Sequence, residues 1–216
     1  MKIIRAILLL CVSFPTWASN QSMVDISIVK SDDGKWTLTY QTKQPASRLS
    51  FIRNPDRSRI ERWKPVSSDF AIVSSDEQEY IIKKDGSAFT EVSLLLTPTY
   101  KHLAKDYAPF SPYSNDGVLI YTGRLFACIN TCIDNVNQWH ISMQVPQGEH
   151  IIVASQVFKH TTSWTDGNDG MNIYVGSQQP IATQNVVAVI DSGLPDKIKR
   201  SLNSDIPSLL NTSSRD

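Results

Sequence analysis

Apolar and polar residues alternate with period two through most of the chain. In "MVDISIVK" Val24, Ile26 and Ile28 fall on one face, and in "WTLTYQ" Trp36, Leu38 and Tyr40 do the same. The segment "SDDGK" lies between them, and Asp and Gly accept the backbone conformations that a reversal demands. Two half-buried strands joined in this way predict a β-hairpin. Further strands are predicted at "RLSFIR", "DFAIV", "EYIIK", "AFTEVSLLL", "GVLIYTGRLFAC", "QWHISMQV", "HIIVASQV", "NIYVG" and "VVAVI". Turn chemistry in "KKDGS", "PQGEH" and "TDGNDG" separates several of them. Many short strands with no helical period between them predict an all-β fold, an antiparallel β-sandwich over residues 19–193.

The alternation fails in two places. From Thr97 to Gly117 the chain has no clean period and contains Pro98, Pro109 and Pro112, which predicts a long loop. Its aromatics Tyr107, Phe110 and Tyr113 either line a binding surface or plug one end of the sandwich. After "VVAVI" the period changes. Pro195 suits a first helical turn, and Ile198 and Leu202 then share a face. Asp205 is placed to cap a second short turn that carries Pro207, Leu209 and Leu210. Residues 194–216 thus read as a short C-terminal helix and a polar tail, with a truncated linker as the alternative. Such a helix is too short to hold alone and requires a partner surface.

The first residues carry Lys2 and Arg5, an apolar run from Ala6 to Val12, and small residues around Thr16–Trp17–Ala18. That is the layout of a signal peptide over residues 1–18, which predicts a periplasmic or secreted protein. The run is too short to span a bilayer, and Leu10 before Cys11 does not fit a lipoprotein signal. Without Lys2 and Arg5 the chain has 19 basic residues against 21 acidic ones, a net charge of −2. This balance predicts no affinity for nucleic acid and none for an anionic membrane.

Export also changes the cysteine arithmetic. Once residues 1–18 are removed, Cys128 and Cys132 in "CINTC" are the only cysteines left, and an oxidising compartment predicts a disulfide between them. Asn130 serves as the turn residue. A redox pair would prefer a two-residue spacing at a helix start. A zinc site would require two further ligands, of which His140 is the nearest. None of His102, His140, His150 and His160 lies in a zinc-binding spacing, and there is no nucleophile elbow. No catalytic residue, metal or cofactor is therefore predicted.

Two further segments have a bland reading and a chemical one. "RLSFIRNPDRSRIERWK" interleaves Arg48, Arg53, Arg57, Arg59, Arg62 and Lys64 with Phe51 and Trp63. It reads as a solvated, salt-bridged strand and loop, with single-stranded nucleic acid, carbohydrate or peptide as the alternatives. "TDGNDGMN" has the composition of a calcium loop without the EF-hand order, so a turn is predicted. Trp139 and Trp164 are assigned to the core.

"GVLIYTGRLF" and "VVAVIDSGLPDKIKRSLNSDIPSLL" resemble the N-terminal all-β domain of secreted gluzincin metallopeptidases of the glycyl aminopeptidase type, over the second half of the chain. The resemblance implies an all-β domain that passes through a helix to a thermolysin-like catalytic domain. The HExxH helix and downstream glutamate of such enzymes are absent from this sequence, so no catalytic residue is carried over. On that basis the terminal helix begins a connection to a second domain; the alternative is that it folds back to cap the sandwich. The expected function is that of a non-catalytic exported domain with a protein or peptide ligand, or a peptidase accessory. The alternatives are a small hydrolase or thiol enzyme, and a structural envelope protein.

Overall fold

The computed structural model describes residues 24–54, 58–97, 110–115, 117–132, 138–167, 169–182 and 187–213. The first half holds β1 (Val24–Lys30), β2 (Trp36–Ala46), β3 (Arg48–Phe51), α1 (Ser58–Arg62), β4 (Trp63–Pro65), β5 (Phe70–Ser75), β6 (Gln78–Lys83) and β7 (Phe89–Leu96). Next come β8 (Phe110–Pro112), β9 (Val118–Tyr121), β10 (Ala127–Ile129), β11 (Trp139–Gln144), β12 (His150–Val153), β13 (Gln156–Lys159) and β14 (Thr161–Asp166). The last elements are β15 (Asn172–Gly176), β16 (Ile181–Ala182), β17 (Val187–Ala188) and α2 (Asp196–Ser213).

The fold is an all-β sandwich with a C-terminal helix. Its largest layer is a six-stranded sheet in the order β14-β11-β1-β2-β7-β4. The predicted hairpin of β1 and β2 forms its centre, from Val24 opposite Thr42 to Lys30 opposite Trp36. Gly34 closes the turn at φ +80°, a conformation that a β-carbon would strain. Period two then decides which side chains meet the core. Val24, Ile26, Ile28, Trp36, Leu38, Tyr40, Trp139, Ile141 and Met143 are buried on one face. The other face is polar, with Ser163, Ser142, Ser27, Thr39 and Ser93 side by side in register across five strands.

Two smaller sheets cover the apolar face. The sheet β10-β3-β6-β5 reaches it through Phe51, which meets Tyr40 and Trp63 edge-on at 6.2 and 5.7 Å. The sheet β13-β12-β15-β9-β8 reaches it through Phe110, edge-on to Trp36 at 5.6 Å. Between them Phe126 stacks on Trp139 at 4.1 Å, and the Trp139 indole N–H donates to the Ala127 carbonyl. Burying an aromatic of this size stabilises the fold by about 2–3 kcal/mol, provided its polar atom is satisfied.

The structure departs from the sequence reading where tertiary contacts set the backbone. One pairing is parallel, β1 with β11. "GVLIYTGRLFAC" is not one strand: β9 and β10 lie in different sheets, separated by a 3-10 turn at Thr122–Arg124. Thr122 holds that turn, donating to Asp166 at 2.6 Å and accepting the Met171 N–H at 2.8 Å. "HIIVASQV" folds into a hairpin, because Ala154 and Ser155 adopt φ of 47° and 61° without the Asn-Gly or Asp-Gly signal usual there. β4, β8, β14 and α1 fall in stretches where no element was predicted. α2 runs unbroken through Pro207, in place of the expected short helix and separate turn.

Candidate functional site

The C-terminal helix leaves the sandwich by a clasp rather than a core contact. Leu194 and Ile198 are 36% and 46% exposed, so this part of the apolar stripe stays in solvent. The segment before the helix is tied down by the end of the long loop. The Ser114 hydroxyl and N–H both donate to the Asp191 carboxylate, the N–H at 3.1 Å. Asn115 donates to the Gln178 amide oxygen at 2.8 Å, and the Gln178 amide N–H donates to the Ile190 carbonyl. Tyr113 lies edge-on to Tyr174 at 5.2 Å, and the Tyr174 hydroxyl accepts the Gln178 N–H. Three consecutive residues of a segment read as a loop thus tie down Tyr174, Gln178 and Asp191.

Between this region and α2 lies a cavity of about 200 Å³, lined by Gln178, Gln179, Ile181, Ile190, Ser192, Lys199 and Asn203. Lys199 and Asn203 face it together because residues four apart share a helix face. The Lys199 ammonium donates to the Ser192 carbonyl at 3.1 Å and pairs with Asp196 at 2.9 Å, which leaves one of its three donors. Among the described residues the Gln179 side chain bonds His150, at 2.9 Å between the two Nε2 atoms. Pro207 has no N–H, so the Asn203 carbonyl has no helical donor four residues on. The lining therefore mixes unspent amide and ammonium groups with two apolar walls.

Electrostatics around the corner have identifiable causes. The Ser114 hydroxyl, followed by the Gly193 N–H, holds the Asp191 carboxyl below its ordinary value. Burial raises Tyr113, with the Asp191 charge adding to it, and burial also raises Tyr174. Asp191 is thus a firmly ionised acceptor, and the two phenols stay protonated at neutral pH.

A second polar cluster lies in the "RLSFIRNPDRSRIERWK" segment, and it corrects the solvated reading. Arg59 and Arg62 are only 3% and 9% exposed. The Arg59 guanidinium lies 4.0 Å from the Phe51 ring centre and 5.1 Å from that of Trp63, pairs with buried Glu79, and donates to the Arg124 carbonyl at 2.7 Å. A buried guanidinium beside two aromatic rings and a carboxylate needs no water around it, because these groups replace it. Arg48 rests on Tyr80 at 4.6 Å and Arg53 on Tyr121 at 5.6 Å; Arg57 lies outside the described residues.

The remaining predicted residues are dispersed. Cys128 and Cys132 are bonded to each other, with Cα atoms 5.1 Å apart. Asn130 between them adopts φ 58°, accepts the Ser47 hydroxyl and donates its N–H to the Arg48 carbonyl at 3.0 Å, which anchors the loop to β3. Phe110 is buried in the core, Tyr113 belongs to the α2 corner, and Tyr107 lies outside the described residues. Asp166 of the glycine-rich turn is buried against Thr122. Trp139 is buried and Trp164 partly so. Among the described residues, no three His, Cys, Asp or Glu side chains are grouped to hold a metal ion. No helix among them is long and apolar enough to cross a membrane.

No family model and no curated protein matches this chain. Among solved structures, an aminopeptidase N family protein from Idiomarina loihiensis is similar over 84% of this chain and 35% of its own, at 8% identity and a TM-score of 0.48. Yeast LTA4 hydrolase in complex with bestatin is similar over 94% of this chain and 38% of its own, at 11% identity and a TM-score of 0.39. The chain thus spans little more than a third of either structure. The likeness is distant and identifies neither an activity nor a ligand.

Proposed function

We propose that the protein is an exported, non-catalytic β-sandwich domain that binds a protein or peptide segment at the α2 corner, in the service of a peptidase partner. The observation that carries this reading is the polar cavity under a helix whose Ile198 remains exposed to solvent. Chemistry at the corner favours binding over bond breaking. The Ser114 hydroxyl is already spent on a carboxylate held below its ordinary pKa, and a base that weak does not activate a hydroxyl near neutral pH. The role beside a peptidase comes from the sequence resemblance, and export comes from residues 1–18.

The reading is tested on the purified chain with a hexapeptide mixture of randomised sequence. Amide hydrogen exchange is expected to slow in residues 178–203 when the mixture is added, with no peptide cleaved. Peptide turnover abolished by Ser114→Ala would replace this reading with the hydrolase alternative. Protection confined to a distant surface would move the site. Expressed with residues 1–18, the protein is expected to be recovered outside the cytoplasm beginning at Ser19.

A further inference from the structure

We propose that the cavity under α2 receives the C-terminal end of a peptide, held by its free carboxylate; this rests on the binding reading and specifies its ligand. At about 200 Å³ the cavity is smaller than the ~300–1,000 Å³ that encloses a drug-sized molecule. It has room for the end of a chain whose remainder stays in solvent. The charge in the lining is positive. Lys199, the one charged residue of the lining, brings an ammonium with one donor unspent beside its bonds to the Ser192 carbonyl and Asp196. Asp191, the nearby acid, is turned to Ser114 and the Gly193 N–H.

The neutral groups fit the same end. A terminal residue offers a carboxylate that only accepts and an N–H that only donates. Lys199 and the Asn203 amide meet the first, and the unspent Gln179 amide oxygen meets the second. Ile181 and Ile190 leave an apolar wall for the last side chain. A sugar ring would instead ask for an exposed aromatic platform, and Tyr113 and Tyr174 are turned on each other behind Gln178. Hydrogen bonds to an ionised partner are about twice as strong as neutral ones, so the carboxylate dominates recognition. Capture of a chain terminus in this manner is a known mode of peptide recognition.

The experiment compares two hexapeptide mixtures, randomised at the last two positions and identical except for a free or an amidated C-terminus. Binding is read by calorimetry and by amide shifts at residues 178–203. The free-acid mixture is expected to bind at the corner and to lose about tenfold or more in affinity on amidation. In Lys199→Met that difference is expected to fall below about twofold, while Lys199→Arg keeps it. The Lys199 side chain is 30% exposed and belongs to no core cluster, so both variants retain the fold. Equal affinity for acid and amide at the corner overturns this inference and leaves the binding reading intact. No shift at the corner with either mixture overturns both.

Discussion

Two polar clusters of this molecule use similar atoms in opposite ways. Around Arg59 the guanidinium, Glu79, Phe51 and Trp63 close on one another, and all four are buried. At the α2 corner the ammonium, amides and hydroxyls face a cavity, and several keep unspent hydrogen-bonding capacity. An ion pair cut off from water is costly to disturb, because removing one partner strands the other. A solvated corner with spare donors is cheap to disturb and ready to accept a guest. The lesson is that charge density in the sequence points to neither; burial decides which cluster is structure and which is site.

The sharpest way to break the comparison is Glu79→Ala. Leaving the Arg59 guanidinium buried without its carboxylate is expected to cost about 3–5 kcal/mol, read as a lower urea midpoint at unchanged slope. A loss below about 1 kcal/mol would show that water reaches the pair. Replacing Cys128 and Cys132 together by serine is expected to cost less, about 2 kcal/mol, since a short loop releases little chain entropy. Gln178→Ala removes the bonds to Asn115 and Ile190 and is expected to cost about 1–2 kcal/mol in the same unfolding assay.

The smallest effect concerns pH. Asp191 has a folded pKa below its ordinary value of 3.8, so its contribution is complete above that value. It is lost as pH falls below 3.8 through the folded value. Acidification is therefore expected to loosen the Ser114 clasp first, seen as lower protection of the Ser114 and Gly193 amides relative to their intrinsic exchange rates while the β1 and β2 amides stay protected. Because the group lies at the surface, global stability is expected to change little over that range.

Most of the sandwich was legible because period two is a local property. The β1–β2 hairpin, β7 and β11 follow directly from alternating apolar residues bounded by turns. The Cys128–Cys132 pair matches the expectation drawn from cysteine counting and a predicted export signal. What stayed hidden depends on partners distant in sequence. Nothing near Thr122 announces that Asp166 will stop the strand, and nothing near Arg59 announces Glu79, 20 residues away. The α2 corner was half legible. The Thr97–Gly117 segment stood out for its missing period, and of its aromatics Tyr113 reaches the corner while Phe110 does not; the bonds come from Ser114 and Asn115, small polar residues that carry no pattern. Lys199 and Asn203 lie on the predicted helix, but nothing near them announces that their face meets Gln178, Gln179 and Ile190.

The most direct test is a map of backbone amide shifts in the purified chain during titration with the free-acid hexapeptide mixture. Saturable shifts concentrated in residues 178–203, with Arg59 and Glu79 unmoved, are the predicted result. Shifts centred on α1 and β6, or none anywhere at saturating peptide, would contradict the assignment of one cluster to structure and the other to binding.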